Sequence, residues 1–254
     1  MKKIVIVGAS SGIGYEVARI FVQKGWKVGV AARRTERLEP LCSSYPGQVE
    51  IEKIDVMRDD APEGLRKLLA RMGGMDIYLH VSGIGHQNRA LDPEVELRTM
   101  QTNVVGFTRM VDEAFNWFKK ERSGRGHIAI VSSIAGTKGL GTAPSYSASK
   151  RLQNTYIEAL EQLSHLEHLS IRFTDLRPGF VRTGLLDTRQ SYPLLMEVEG
   201  VAQAIVGAIL SEKRVKVIDW RFGLLTSLWH LIPRWIWVRL PISTRMKKES
   251  AGEL

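Results

Sequence analysis

Short apolar runs alternate with longer stretches of helical periodicity through most of the chain. Runs near 4–7, 27–32, 49–54, 76–82, 127–132, 169–175 and 215–219 are rich in Val and Ile and have strand length. Several of them, such as Ile4-Val5-Ile6-Val7, are continuously apolar, which predicts strands buried on both faces. Between them, apolar positions recur at three and four residues near 12–24, 35–44, 62–72, 94–120, 145–165 and 199–211, predicting helices with one inward face. Regular alternation of the two patterns predicts an α/β fold. The expected architecture is a doubly wound parallel sheet of about seven strands with helices on both faces, in a single domain. Ligands of such sheets bind beyond the carboxyl ends of the strands. Gly8, Asp55, Gly83, Ser133 and Pro178 all follow predicted strands and are therefore expected at one edge.

Two segments on that edge carry recognisable chemistry. The first predicted strand runs into Gly8-Ala9-Ser10-Ser11-Gly12-Ile13-Gly14, and a helical pattern follows. Strand, glycine turn and helix form a phosphate-binding arrangement, because glycines let the backbone approach a pyrophosphate and the helix start offers unpaired N–H groups. The second segment is Ser133 with Tyr146 and Lys150. Tyr146 and Lys150 are four apart and share one face of a predicted helix. A cation about 4 Å from a phenol at an effective dielectric near 20 is worth roughly 4 kcal/mol, or about three pKa units before desolvation. The spacing alone thus predicts a tyrosine whose pKa is lowered towards neutrality by its lysine.

These motifs, in this order, resemble the short-chain dehydrogenase/reductase family. Its glycine signature matches Gly8, Gly12 and Gly14; its serine, tyrosine and lysine match Ser133, Tyr146 and Lys150; its helix asparagine matches Asn103; and its Pro-Gly-x-x-x-Thr motif matches Pro178, Gly179 and Thr183. The resemblance implies a Rossmann-type fold and hydride transfer between a nicotinamide cofactor and a carbonyl or secondary alcohol. In that scheme Tyr146 donates the proton, Ser133 hydrogen-bonds the carbonyl oxygen, Lys150 binds the nicotinamide ribose, and Asn103 anchors a water leading from Lys150 to solvent. The implied cofactor contacts are Gly8, Ser10, Ser11, Gly12, Ile13, Gly14, Asp55, Val56, Gly83, Tyr146, Lys150, Pro178, Gly179, Val181 and Thr183. A homo-oligomer is implied as well. Two positions depart from the pattern. His80-Val81-Ser82-Gly83 stands where the family has Asn-Asn-Ala-Gly, with His80 expected as a satisfied core histidine, and Val7 stands in place of a threonine.

Residues near the end of the second strand decide the cofactor. Ala31-Ala32-Arg33-Arg34 offers no carboxylate to a ribose 2′-hydroxyl, whereas two guanidiniums can pair a 2′-phosphate. Arg33 and Arg34 therefore predict NADP(H). The variable lid after the Pro-Gly motif, at 184–198, carries Leu185, Leu186, Tyr192, Leu194, Leu195 and Met196, which suits an apolar carbonyl substrate. Arg182 and Arg189 leave room there for an acidic group on the substrate.

Composition narrows the alternatives. The 254 residues carry a net charge of +9, but the cations are spread along the chain without a nucleic-acid-binding motif, so no nucleic-acid partner is expected. No metal-ligand spacing and no nucleophile elbow around Ser133 are found, which disfavours metal catalysis and acyl transfer. Cys42, the only cysteine, excludes an intrachain disulfide and points to a reducing, cytoplasmic compartment. After the domain expected at 1–219, the segment 220–254 reads as an extension of a different character. Trp220, Trp229, Trp235 and Trp237 fall within it, and no acidic residue occurs from 220 to 248. Apolar residues at helical spacing among Arg221, Arg234, Arg239, Arg245, Lys247 and Lys248 describe either a helix lying on a membrane surface, on its inner face, or a tail that packs against a sister subunit or over the substrate cleft. The functional alternative to a reductase is an NADPH-binding protein without turnover, but an intact Asn, Ser, Tyr and Lys set favours the enzyme.

Overall fold

Strand alternation sends successive side chains to opposite faces, and in this chain each face meets its own layer of helices. A computed structural model describes residues 1–186, 190–242 and 245–246. Arg189 of the lid and Lys247 and Lys248 of the tail lie outside the described residues. Seven parallel strands, β1 (Lys3–Val7), β2 (Lys27–Ala32), β3 (Val49–Lys53), β4 (Ile77–His80), β5 (Arg125–Val131), β6 (Ser170–Pro178) and β8 (Val215–Ile218), form one sheet in the order β3-β2-β1-β4-β5-β6-β8. The order reverses direction at β1, which lies between β2 and β4, so a crevice opens there at the carboxyl edge.

Ile4 and Ile6 of β1, with Ala129 and Val131 of β5, join one core with α1 (Gly12–Gln23) and α7 (Val198–Leu210). Val5 and Val7, with Ile128 and Ile130, join the other core with α3 (Ala61–Met72), α5 (Phe107–Glu121) and α6 (Pro144–Leu166). Both faces of the sheet are therefore covered, as the continuously apolar runs required.

Three predicted helices are interrupted. The pattern over 35–44 divides into a 3₁₀ turn, Thr35–Arg37, and α2 (Glu39–Ser44), where Pro40 takes an early helical position that needs no N–H donor. The pattern over 94–120 divides into α4 (Pro93–Met100), a π-helical segment Gln101–Gly106, and α5. The wider turn brings Thr102, Asn103 and Gly106 inward together, and Gly106 is required because a Cβ there would lie 2.8 Å from the Val56 carbonyl oxygen. In the tail, Pro233 separates α8 (Trp220–Leu231) from α9 (Arg234–Trp237), in place of one helix. A small antiparallel pair also forms between β7 (Gln190–Ser191) of the lid and β9 (Arg245–Met246). Nothing in the local pattern of either segment announces this contact. Among the described residues no helix is long and apolar enough to cross a membrane.

Candidate active site

The glycine turn leaves β1 with its backbone hydrogen-bonded to both neighbouring strands. Gly8 N–H donates to Ala31 O of β2 at 2.8 Å, and Val81 and Ser82 N–H donate to Val7 O at 2.8 and 2.9 Å. These backbone bonds tie the end of β4 to β1, so the side chains of His80 and Ser82 are not needed for the task that amides perform in the family pattern. Gly8 has φ +96° and Gly12 φ +56°, and a Cβ on Gly8 would fall on the Ser82 backbone. Gly14 lets α1 pass directly over Gly8, whose carbonyl a Cβ at position 14 would strike. The first turn of α1 carries no acidic residue, and Ser11 at its start makes no side-chain cap bond. Its N–H groups are thus open towards an anion. The Thr183 methyl packs over Gly12, 3.1 Å from where a Cβ would stand, bringing the Pro-Gly-x-x-x-Thr segment to the glycine turn.

Arg33 and Arg34 follow the last residue of β2 and are exposed. Among the described residues neither guanidinium has a hydrogen-bonding or ion-pair partner. Asp55 lies one strand further out and accepts Met57 N–H at 3.1 Å, while Val56 is buried beneath α5. Pro178 ends β6, Gly179 accommodates the Phe222 ring, and Val181 is buried and bridges in parallel to Met196 of the lid. Ser10, Ser11 and Ile13 are exposed or half-buried along the turn.

Across the crevice stand Ser133, Tyr146, Lys150 and Asn103. Ser133 caps the short turn after β5, its Oγ accepting Ala135 N–H at 3.1 Å. On α6, Tyr146, Lys150, Gln153 and Ile157 fall within one stripe, because steps of four, three and four residues return to the same face. Tyr146 is half-buried beneath Gly85, where a Cβ would lie 2.5 Å from its ring. Lys150 Nζ is 5.8 Å from the centre of the Tyr146 ring and donates to Val131 O and to Gln153 Oε1, each at 3.0 Å. Gln153 Nε2 in turn donates to the Asn103 carbonyl oxygen at 2.9 Å. The Asn103 side chain clamps the β4 loop to α6: its oxygen accepts Ile84 N–H at 2.9 Å, and its nitrogen donates to Ile84 O at 2.7 Å and to Ser149 Oγ at 3.1 Å.

These contacts add one residue and correct two expectations. The Gln153 amide joins Lys150 to the main-chain carbonyl of Asn103. Gln153 escaped the sequence reading, although a buried-face glutamine interrupting the stripe between Lys150 and Ile157 was its available signal. The Tyr146 phenol is not drawn down by Lys150: burial pushes it up, with its hydrogen bond to Ser133 acting in the opposite sense. Desolvation outweighs that hydrogen bond, and the same burial pulls the Lys150 ammonium down to about 8 against the supporting charge of Asp175. Asp175 is itself buried, hydrogen-bonded to Ser132, to Asn154 at 2.8 Å and to Arg177 at 2.7 Å. Second, His80 is only half satisfied: its Nδ1 meets the Tyr78 hydroxyl at 2.9 Å, its Nε2 has no partner among the described residues, and burial first and the Lys150 charge second bring it down to about 3.

The chain matches the family model described as short chain dehydrogenase over residues 2–192. An uncharacterized oxidoreductase of Mycobacterium tuberculosis is 30% identical over 253 residues, 96% of either chain. The farnesol dehydrogenase of Aedes aegypti is 29% identical over 228 residues, covering 85% of this chain and 93% of the relative. Among solved structures, an alcohol dehydrogenase from the archaeon Thermococcus sibiricus, complexed with 5-hydroxy-NADP, superposes with a TM-score of 0.74 at 25% identity, covering 86% of this chain and 95% of that one. With the sheet order, the glycine turn and the family match in agreement, the chain belongs to the short-chain dehydrogenase/reductase family of oxidoreductases.

Proposed function

We propose that the protein is an NADPH-dependent carbonyl reductase, reversible as an alcohol dehydrogenase, acting on an apolar or lipid-like substrate. The observation that carries this reading is the convergence of Ser133, Tyr146, Lys150 and Asn103 with an open glycine turn at one sheet edge. A dinucleotide fits the residues present: the turn has no room for side chains at Gly8 and Gly14, and the start of α1 is uncapped and free of carboxylates. Gly8, Gly12 and Gly14, with Ser10, Ser11 and Ile13, would hold the pyrophosphate. Asp55 and Val56 would border the adenine, Gly83 and Lys150 the nicotinamide ribose, and Pro178, Gly179, Val181 and Thr183 the nicotinamide side. The unpaired Arg33 and Arg34 support NADPH over NADH, since a 2′-phosphate supplies the charge they lack. Bound there, the reduced nicotinamide supplies a hydride to the carbonyl carbon.

The chain's own residues handle the proton. Tyr146, held as a neutral phenol by burial, is in the form that donates to a carbonyl oxygen as negative charge gathers on it. Ser133 hydrogen-bonds the same oxygen. Lys150, as ammonium, stabilises the phenolate left behind, and Gln153 and Val131 O aim it. Asn103 fixes the loop that covers the Tyr146 ring.

The partly exposed Leu185 and Leu194 of the lid support an apolar substrate, as does the likeness to a farnesol dehydrogenase. We take the working unit to be a homo-oligomer, checked by sedimentation. The deciding assay follows NADPH oxidation with long-chain, steroid-like, sugar and 3-oxoacyl ketones, with NADH in parallel. Turnover of the apolar ketones with NADPH is expected. A clear NADH preference would overturn the role of the two arginines, and NADPH binding without turnover of any carbonyl would favour a non-catalytic binder.

A further inference from the structure

The C-terminal helix pair is apolar on both sides. Its inner side packs on the domain: Phe222 lies against Gly179 and Phe180, Trp229 meets Trp237 edge-on, and the Trp237 indole N–H donates to Gly139 O at 2.7 Å. At 100° per residue, Trp220, Leu224, Leu228 and Leu231 fall within an arc of about 80° on the other side. They are 76%, 58%, 53% and 78% exposed, and Trp235 and Val238 continue the surface along α9. A helix with an apolar stripe on two sides is covered on both in its working state.

Charge identifies the cover. Residues 220–242 contain no carboxylate, and among the described residues Arg221 alone of their arginines has an acidic partner, Asp219. Beside α9 a groove of about 1270 Å³ opens between the loop 136–142, α6 and the tail. Arg89, Lys138, Arg151 and Arg234 line it, and no carboxylate does. Ser147 and Arg151 in its wall follow Tyr146 and Lys150 by one residue each, so the groove lies on a neighbouring face of α6 and contains none of the proton-handling side chains. A second copy meeting this face across a two-fold axis would set these cations against themselves. A bilayer with anionic headgroups offers opposite charge, and its interface takes up Trp rings and Leu side chains together.

We propose that this face docks on the surface of an anionic lipid bilayer. The Trp220, Leu224, Leu228, Leu231 and Trp235 side chains enter the interface, and the cations of the groove and of α9 meet headgroup phosphates. The helices lie along the surface and do not span it. This inference rests on the tail and the groove alone and stands apart from the reductase reading.

The test is flotation of the full-length protein with vesicles of phosphatidylcholine, with or without phosphatidylglycerol at about a third of the lipid. Recovery with the anionic vesicles is expected, together with loss from the neutral ones and release on raising salt from about 0.1 to 1 M. The triple variant L224Q/L228Q/L231Q should reduce bound protein about tenfold or more, while keeping the circular-dichroism spectrum and cooperative melting of the parent as proof of an intact fold. The pair R234E/R239E should do the same without touching the leucines, and decides the matter should the triple variant fold poorly. Equal recovery from neutral and anionic vesicles, no recovery from either, or undiminished flotation of the charge-reversed pair would overturn the proposal. So would sedimentation showing a dimer that L224Q/L228Q/L231Q dissolves.

Discussion

The carboxyl edge of the sheet and the C-terminal helix pair solve opposite problems. At the edge, polar side chains are taken out of water and given internal partners: Lys150 is bonded to Val131 and Gln153, Gln153 to the Asn103 main-chain carbonyl, Asn103 to Ile84 and Ser149, and Asp175 to Ser132, Asn154 and Arg177. Along α8 and α9, apolar side chains are left in water with no internal partner on one side. Groups satisfied from within can have their protonation set by the protein, because their surroundings are fixed. A surface satisfied only from outside does its work through whatever meets it. If the two proposals hold, chemistry belongs to the first region and placement to the second, and variants of the two should separate cleanly.

The largest separation is expected for Tyr146→Phe, which removes the only phenolic proton donor in the stripe. Turnover should fall by about 10²–10⁴ while NADPH binding, read by fluorescence titration, is retained. Undiminished reduction would remove Tyr146 from its role.

Gln153→Leu tests whether the edge depends on a group that never touches substrate. It leaves the Asn103 carbonyl and the Lys150 ammonium each short of one partner, so about 1–3 kcal/mol of stability should be lost, read by chemical denaturation. Lys150, already down to about 8, should fall further with one acceptor gone. The activity lost as pH rises through the Lys150 pKa would then be lost at lower pH. Gln153→Glu, placing a carboxylate beside the ammonium, should move that limb to higher pH. A purely packing role for Gln153 would change stability and leave both pH limbs in place.

The exposed Arg33 and Arg34 come next. Their double alanine variant should raise the KM for NADPH by about tenfold or more and leave that for NADH nearly unchanged.

Acid sensitivity should follow from the buried histidines. His80 and His127 are brought down to about 3 and about 4, chiefly by burial. The unfolded chain binds protons at these groups below an ordinary histidine pKa of about 6.5, while the folded chain refuses them. Stability is thus held above that value and lost as pH falls through it towards 3 or 4, by about 2 kcal/mol per histidine between pH 7 and 5. Denaturation at the two pH values measures this, and His80→Asn should remove its share. The smallest effect is expected at Leu228→Gln, whose side chain faces out: stability should change by no more than about 0.5 kcal/mol, with reductase turnover in detergent-free buffer unaltered.

Local pattern carried most of the frame. Short runs rich in apolar residues marked seven strands to within a few residues, and the glycine spacing announced a turn whose backbone has no room for side chains. The limits of legibility fall where partners are distant in sequence. Gln153 meets Asn103 fifty positions away through the π-helical turn, which a smooth apolar periodicity over 94–120 conceals. The sense of the Tyr146 shift was also out of reach, because spacing gives the nearness of a cation and says nothing of how much water both groups lose.

Order and type of side chain along the chain thus determined the α/β alternation, the family and which side chains were candidates for the site, since these depend on periodicity and fixed spacing. Tertiary structure decided who satisfies whom: that an amide links Lys150 to Asn103, that burial keeps the phenol neutral, and that one side of α8 is packed while the other is bare. Desolvation and long-range pairing are properties of the assembled surroundings of a group, and no stretch of sequence contains them.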